Sequence, residues 1–450
     1  MRIKTEIPLT LSLISEVLNI PIARDAQINA ITTDSRDCKQ RDLFFALGGE
    51  RYDGADFIEE AKLKKAFTIS ERRGSDITVQ NTYSALLKLS SYYKSLISPK
   101  YTVAVTGSCG KTTVKDFISI ILSSSLKTHK TQENYNNIVG LSHTLLTTPI
   151  STSALICELG MNHAGEISEL SQALRPDIAV ITNIGTAHIG NLGSREAIAM
   201  AKLEIENGMQ GGKTIVFKEE PLLVNAKNPY FVSFMDKNAD MYAEIRARSK
   251  KGSEIFIKSA EYEYLFCSHL YALHTISSLI LAIATATLIG LSAEEINVGV
   301  DKIQEANLRQ KFLNANGYRI YDDSYNSSPD AVISALNMLK EREDNISALI
   351  GDMLELGDKS EKLHEYIGKE CAKHGIRKLY AFGKFAKSVA AGAILGGIND
   401  KNIFINTDTS RPDITAFQII NSYQGERILV KASHSVRVNR VIDILRKGEF

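Results

Sequence analysis

One segment constrains the fold of this chain more than any other. The apolar, β-branched run YTVAVT (101–106) leads directly into GSCGKTT (107–113) and then into an amphipathic helical pattern. A strand, a glycine loop and a helix in this order form the setting in which main-chain N–H groups at a helix start hold phosphate. The segment therefore predicts a phosphate-binding loop, in which Lys111 reaches the terminal phosphates and the Thr112 hydroxyl binds Mg²⁺.

The spacing of this loop is shorter than the common GxxxxGK[ST] pattern. That pattern needs glycine at position 105, where this chain has Val105, and Gly107 and Gly110 stand only three apart. The alternative is a glycine turn with a solvated lysine, and the flanking strand and helix favour the phosphate loop. The predicted nucleotide-binding residues of the loop are Gly107, Ser108, Cys109, Gly110, Lys111, Thr112 and Thr113.

Apolar runs and helical patterns alternate along most of the chain. From about 101, four strands (YTVAVT, SALICEL, DIAVITNI, KTIVFK) are separated by helices, and after a less regular stretch at 219–268 the alternation resumes in YRIYDDS, ISALIGDM, KLYAFG, NIFINT and ERILVKAS. This order is typical of parallel α/β sheets covered by helices. At 450 residues, the chain is too long for one hydrophobic core, so we predict three domains.

We predict a small α/β domain at 1–98, a central ATP-binding domain of the phosphate-loop type at 99–305 and a Rossmann-like domain at 306–450. The segment YYKSLISPK (92–100) reads as the linker that leaves the first domain, and the apolar stretch 276–289 as a buried helix, since about 20 residues are needed to span a bilayer.

The charge balance and the cysteines exclude several functions. Lys and Arg total 53 against 52 acidic residues, a net charge of +1, so we expect neither a nucleic-acid partner nor membrane insertion. The amino terminus lacks the continuous apolar run of a signal peptide. Five widely spaced cysteines form no disulfide or metal pattern, which indicates a reducing cytoplasm.

Three further side chains are candidates for the same site. Glu158 and His188 follow two successive strands, at the sheet edge where ligands of open α/β sheets bind, and both are possible metal ligands. Lys202 lies on a helix among apolar residues, which holds its ammonium near that edge. The alternatives are an ordinary strand-end acid, a surface histidine and a lysine that reaches out to solvent.

The chain resembles the Mur ligase family along its whole length. The motifs that carry the resemblance occur in the family's order: ITTDSR (31–36), DLFFALGGERYDGADF (42–57), TGSCGKTT (106–113), NYNNIVGLSHTLL (134–146), ELGMNHAGEI (158–167), ITNIGTAHIGNLGSREAIAMAKLEI (181–205), DDSYNSSPDAVISAL (322–336) and GDMLELGDKSEKLHEYIG (351–368). The motifs SYNSSP and GDMLELG resemble those of the family member that adds a dipeptide.

The resemblance implies roles for individual residues. It makes Lys111, Glu158, His188 and Lys202 catalytic, with Thr112 on a first Mg²⁺ and Glu158, His188 and a carbamylated Lys202 on a second. It places ATP against the phosphate loop and against Asn134, Asn137, His274, Arg309 and Asp323, and the uridine nucleotide in the first domain at Thr33, Asp34, Ser35 and Arg36.

The implied activity is the ATP-dependent joining of D-alanyl-D-alanine to UDP-N-acetylmuramoyl-tripeptide through an acyl phosphate, in the cytoplasmic stage of peptidoglycan synthesis, by a monomer. Two alternatives stay open. In the first, the chain is another ligase of the family that adds a single amino acid, such as diaminopimelate or glutamate. In the second, it is a noncatalytic nucleotide-binding protein derived from such a ligase.

The chain also departs from the family pattern. Thr275 and Ser278 replace asparagines beside His274, and Ala432, His434 and Asn439 stand where Gly, Arg and Glu are common; Ala55 replaces a histidine. None of these changes removes a predicted phosphate or metal ligand, so we expect activity with altered affinities.

Overall fold

Three sheets, each with its own helices, divide the molecule. The computed structural model describes residues 2–22, 24–49, 52–249, 251–304, 311–324, 327–342 and 345–448. The α/β class with three domains is confirmed, and the predicted domain boundaries stay predictions. In the described parts of the chain, no helix is both long enough and apolar enough to cross a membrane.

The first sheet is small and mixed. Its strands and helices are β1 (Arg2–Ile3), β2 (Leu9–Thr10), α1 (Leu11–Leu18), β3 (Gln27–Ile28), β4 (Ile31–Thr32), β5 (Leu43–Phe45), α2 (Ile58–Leu63), β6 (Phe67–Ser70), β7 (Ile77–Thr78) and α3 (Thr82–Ile97). The order is β1-β4-β5-β6-β7, parallel from β4 to β7, while β2 and β3 form a separate antiparallel pair.

The predicted linker at 92–100 is wrong over its first six residues, which are helical. Helix α3 continues to Ile97 because Tyr93 is fully buried, and its hydroxyl accepts hydrogen bonds from the backbone N–H groups of Glu6 and Ile7. Burial of an aromatic ring is worth more than the weak helix preference of this tyrosine-rich segment, so tertiary packing extends the helix.

The central sheet is the largest. Its elements are β8 (Tyr101–Thr106), α4 (Lys111–Leu122), β9 (Thr128–Lys130), α5 (Ile138–Leu146), β10 (Ala154–Glu158), α6 (Glu166–Leu174), β11 (Ile178–Ile181), α7 (Ile189–Leu192), α8 (Arg195–Leu203), β12 (Lys213–Phe217), β13 (Pro229–Ser233), β14 (Met241–Ser249), β15 (Gly252–Ser259), β16 (Glu263–Ser268), α9 (Leu273–Ile289) and α10 (Ala293–Val300). The order is β16-β15-β14-β13-β12-β11-β8-β10-β9.

The stretch 219–268, which the sequence presented as irregular, contains four of these strands. Strands β13 and β14 extend the parallel sheet, and β15 and β16 pair antiparallel at its edge. Along β16, exposed residues alternate with more buried ones, because only one face packs on the core. Such a strand lacks the continuous apolar run by which the buried parallel strands were recognised.

Strand β8 lies in the middle of this sheet, between β11 and β10, and five of its six residues are buried. Its carboxyl end therefore lies between the ends of two other parallel strands. Helix α9, confirmed as a buried helix, packs against α4. This arrangement fixes the loop after β8 and the start of α4.

The third sheet is parallel except at one edge. Its elements are β17 (Lys311–Ala315), β18 (Tyr318–Asp322), α11 (Pro329–Arg342), β19 (Ile346–Gly351), α12 (Ser360–Lys373), β20 (Leu379–Phe382), α13 (Ala386–Leu395), β21 (Ile403–Asn406), α14 (Pro412–Ser422), β22 (Arg427–Lys431) and α15 (Asn439–Lys447). The order is β17-β18-β22-β19-β20-β21, with only β17 antiparallel.

The central and carboxy-terminal domains share a continuous apolar core. One cluster of buried residues contains Ile184 and Ile189 from the central domain together with Val332, Met353 and Leu356 from the carboxy-terminal domain. This shared core holds α11 of the carboxy-terminal domain against the segment that follows β11, close to the loop after β8.

Candidate active site

The loop after β8 has the conformation that phosphate binding requires. Gly107 and Gly110 have positive φ angles of 145° and 80°, and Gly110 precedes the first residue of α4. L-residues rarely adopt these conformations. The N–H groups at the start of α4 have no carbonyl partner within the helix, and they form a site for an anion.

The segment after β11 holds this loop in place. The Asn183 side chain accepts a hydrogen bond from Cys109 N (3.0 Å) and donates one to Cys109 O (3.0 Å), while Thr182 Oγ1 donates to the same carbonyl (2.5 Å). Gly185 N donates to Ser108 Oγ (2.8 Å). Thr182, Asn183 and Gly185 were not predicted as site residues, although they directly follow a strand of the predicted sheet.

Cys109 faces the other domain. Its Sγ lies 3.6 Å from Ser328 Oγ, and burial raises the pKa of the thiol. A protonated thiol is a poor nucleophile, so burial disfavours reactivity at Cys109. All five cysteines of the chain are free.

Lys111 and Thr112 open helix α4. The Lys111 ammonium donates to Gly107 O at 2.8 Å, so it folds back over its own loop. Thr112 Oγ1 donates to Glu158 Oε2 at 2.7 Å. Thr113 is half-buried in the same turn. The start of α4 thus carries an ammonium and a hydroxyl, and a polyphosphate bound there would contact both.

Glu158 is a buried carboxylate at the end of β10. It is 2% exposed, and its Oε1 accepts a hydrogen bond from Asn136 Nδ2 at 2.9 Å. In the described residues no basic side chain forms a salt bridge with it. A buried anion needs a compensating cation, and with the Thr112 hydroxyl it forms an oxygen donor pair of the kind that Mg²⁺ prefers.

The asparagines of the segment NYNN (134–137) make different contacts. Asn136, which the sequence analysis did not select, contacts Glu158, whereas Asn137 caps α5 by accepting from Gly140 N at 2.9 Å. Asn134 is exposed. The predicted roles of Asn134 and Asn137 toward ATP stay predictions.

His188 contacts the carboxy-terminal domain. Its Nδ1 lies 2.5 Å from Glu355 Oε2, and this close contact with His188 lowers the pKa of Glu355. Within the described ranges, no three His, Cys, Asp or Glu side chains are grouped closely enough to hold a metal ion. The protein side chains alone therefore do not join Glu158 and His188 into one metal cluster.

Lys202 is fully enclosed. It lies on α8, is 1% exposed, and has no hydrogen-bond or ion-pair partner among the described residues. Burial, reinforced by the charge of Lys111, lowers the pKa of its ammonium well below 10.5. The alternative that this lysine reaches out to solvent is therefore wrong.

A cavity of about 440 Å³ opens between α9 and α11. His274 lines it, and its buried Nε2 has no hydrogen-bond partner among the described residues; burial lowers the pKa of this imidazole to about 4. Thr275 and Ser278 donate to backbone carbonyls of their own helix segment, Ala272 O and His274 O. These two hydroxyls are thus engaged locally.

The remaining predicted residues lie in the outer domains. Asp323 pairs with the buried Lys431 at 3.0 Å, and Arg309 lies outside the described residues. In the first domain, Asp34 caps the short helix Ser35–Asp37, and the Arg36 guanidinium lowers the pKa of Asp34 to about 2. Thr33 is half-buried in the same turn, so the four predicted substrate residues are contiguous.

The family assignment follows from comparison with known proteins. Three family models match in order along the chain: the Mur ligase family catalytic domain at 27–87, the Mur ligase middle domain at 105–286 and the Mur ligase glutamate ligase domain at 308–434. The chain belongs to the Mur ligase family. As a Mur ligase it has the phosphate loop and the sheet edge described above within the matched middle domain.

Curated relatives of this Mur ligase match over nearly their whole length. The UDP-N-acetylmuramoyl-tripeptide–D-alanyl-D-alanine ligase of Bacillus subtilis is 32% identical over 428 residues, which cover 92% of each chain. The enzyme of the same name from Escherichia coli is 29% identical over 457 residues, covering 98% of this chain and 99% of the relative.

Solved structures agree with the fold. A crystal structure of MurF from Acinetobacter baumannii superposes with a TM-score of 0.86 at 27% identity, covering 98% of this chain and 99% of that one. MurF ligase from Thermotoga maritima in complex with ADP gives a TM-score of 0.79 at 25% identity, covering 93% and 97%.

A single methyl group tests the geometry of the loop. A Cβ at Gly107 would lie 1.8 Å from Thr182 Oγ1, so Gly107→Ala must displace either the loop or its support. We expect ATP affinity, measured by calorimetry, to fall by at least about tenfold. The control is Gly290→Ala, where φ is 93° but the space is open; it should cost about 1 kcal/mol of stability and leave ATP affinity intact. Equal ATP affinity in both variants would refute this account of the loop.

The buried imidazole of His274 predicts an acid-sensitive fold. Its pKa is about 4 in the folded chain against an ordinary 6.5, so the unfolded chain binds more protons between these values. The free energy of unfolding should therefore fall as the pH drops from about 6.5 to about 4, with a contribution at pH 5 on the order of 1 to 2 kcal/mol. The free energy of unfolding of His274→Gln, measured by denaturant titration, should depend less steeply on pH than that of the wild type. The exposed His269→Gln serves as control, and identical slopes in the two variants would contradict the assignment.

Proposed function

We propose that this Mur ligase joins D-alanyl-D-alanine to UDP-N-acetylmuramoyl-tripeptide at the expense of ATP, in the cytoplasmic stage of peptidoglycan synthesis. The similarity to ligases of that name extends over more than 90% of the chain. The observation that carries the chemistry is the glycine loop with Lys111 and Thr112 at its end and the buried Glu158 beside it.

The reaction requires activation of a carboxylate. The terminal carboxylate oxygen of the tripeptide attacks the γ-phosphorus of ATP, the bond to ADP breaks, and an acyl phosphate forms. The amine of D-alanyl-D-alanine then attacks the acyl carbon, loses a proton, and the tetrahedral intermediate expels phosphate. Lys111 exchanges its bond to Gly107 O for the phosphates and neutralises their charge.

Mg²⁺ fits this arrangement of oxygen ligands. Thr112 and Glu158 are adjacent, and Glu158 is buried without a salt bridge in the described chain, so these two residues would hold an ion. When bound, the ion would withdraw negative charge from the phosphates. Asn136 orients the carboxylate through its hydrogen bond. We propose His188, which follows strand β11, as a further ligand of the ion.

The uridine nucleotide is assigned to the first domain. Thr33, Asp34, Ser35 and Arg36 form one turn, in which Ser35 Oγ donates to Glu60 Oε2 at 2.8 Å. The Arg36 side chain is exposed and forms a salt bridge with Asp34 at 2.6 Å, so an anionic ligand would compete with Asp34 for the guanidinium. A monomer is the oligomeric state that we retain as a prediction.

The identity of the amine acceptor distinguishes this function from the two alternatives. With purified protein, Mg²⁺, ATP and the tripeptide precursor, we expect phosphate release to require D-alanyl-D-alanine and to be at least about a hundredfold slower with single amino acids, since a site built for one acceptor discriminates by such factors. The control reaction omits the precursor. Release that depends on a single amino acid instead would establish another ligase of the family, and nucleotide binding without any turnover would establish a noncatalytic protein.

We further propose that Lys202 is carbamylated. Its amine is buried without a partner, and its lowered pKa favours the uncharged form that reacts with carbon dioxide. The product would be a carboxylate, suited to a metal site. Incubation with ¹³C-labelled bicarbonate should give a carbamate carbon signal by NMR in the wild type and none in Lys202→Met. Lys115→Met is the matched control, because Lys115 is also buried but donates to Thr131 O; it should retain the signal. A wild type without the signal would exclude the modification.

A further inference from the structure

The segment that supports the phosphate loop also contacts the carboxy-terminal domain. This connector, residues 183–188, follows β11 and is bonded to Ser108 and Cys109 on one side. On its other side it meets Asp330 in the first turn of α11. A six-residue segment thus contacts both the nucleotide loop and the neighbouring domain.

The contact with Asp330 is close and specific. Asp330 Oδ2 accepts two hydrogen bonds from Thr186, one from the backbone N–H and one from Oγ1, both at 2.6 Å. Hydrogen bonds to a charged acceptor of this length are among the stronger ones in proteins. They join one carboxylate of α11 to the backbone of the connector.

Packing at Gly185 leaves this contact little freedom. A Cβ at Gly185 would lie 2.6 Å from Asp330 Oδ2 and 3.2 Å from Ser108 Cβ, so the glycine backbone is held between α11 and the phosphate loop. At the far end of the connector, Glu355 contacts His188 Nδ1 and its carbonyl accepts from Gly190 N at 3.0 Å. Displacement of α11 would therefore move the support of the phosphate loop.

We propose that Asp330 is a positioning residue: through Thr186 it couples the docking of the carboxy-terminal domain to the position of the connector and of the phosphate loop. The inference rests on the proposed ligase function for its kinetic readout only. Asp330 acts through the connector and is not assigned a contact with the reacting atoms.

A direct contact with the nucleotide is the rival explanation, because Asp330 also lines the cavity beside His274. The two explanations differ in what Thr186 does. If Asp330 acts through Thr186, removal of the Thr186 hydroxyl affects catalysis only while Asp330 is present. If Asp330 contacts the nucleotide, the effects of the two changes multiply.

A double-mutant cycle tests this coupling. We expect Asp330→Ala, which loses both bonds, to lower kcat/KM for ATP by about tenfold or more, in line with lost hydrogen bonds to a charged group, and Thr186→Val, which keeps the backbone bond, to lower it by about threefold. The double variant should fall within about twofold of Asp330→Ala alone. Asp330→Asn, whose amide oxygen can still accept both bonds, should stay within about threefold of the wild type. Multiplicative losses, or an Asp330→Asn variant as impaired as Asp330→Ala, would overturn the proposal.

Domain docking is measured separately, without the acceptor. Small-angle scattering with Mg²⁺ and a nonhydrolysable ATP analogue should give a smaller radius of gyration for the wild type than for Asp330→Ala, with Asp330→Asn close to the wild type. Lys359→Met is the control, since the exposed Lys359 forms a single hydrogen bond to Gly193 O across the same interface; it should behave as the wild type. Equal radii for the wild type and Asp330→Ala would refute the coupling, whichever acceptor the enzyme uses.

Discussion

The hydrogen bonds between the Asn183 side chain and the backbone of Cys109 are the interaction on which the rest of the site depends. A loop with two positive-φ glycines has many accessible conformations, and an anion site needs its N–H groups to converge before the ligand arrives. Asn183 and Thr182 restrict that freedom from the neighbouring strand β11. Because β11 and β8 are paired in parallel register, the support is transmitted through the sheet itself.

Charge is distributed unevenly around this loop. Glu158 and Lys202 are both buried, and neither has a salt-bridge partner among the residues that the structure describes. Burial of isolated charges is costly, so such groups are retained where a ligand or a modification completes them. This arrangement suits the polyphosphate and the cation that we propose for the site, and the connector contacts the other domain through Asp330.

The sequence predicted the features that follow from local pattern. Three features could be predicted in this way: the buried strands, the phosphate loop with Lys111 and Thr112, and the burial of 276–289. Each shows a repeat of apolar residues bounded by residues that favour turns. Strands β15 and β16 were missed because exposed and more buried residues alternate along them, and the end of α3 was missed because Tyr93 is buried against residues that are distant in the chain. Asn136, Asn183 and Asp330 were not selected, since their roles come from contacts between segments that are far apart in the chain.

We infer that the loop after β8 binds ATP through its main-chain nitrogens and Lys111. Isothermal titration calorimetry of the folded protein with ATP at saturating Mg²⁺ tests it most directly. We predict one ATP per chain, with an affinity that falls by at least about tenfold in Lys111→Met, the loss of more than about 1.4 kcal/mol expected for a charge-assisted contact. Absence of binding by the wild type, or an unchanged affinity in the variant, would contradict the claim.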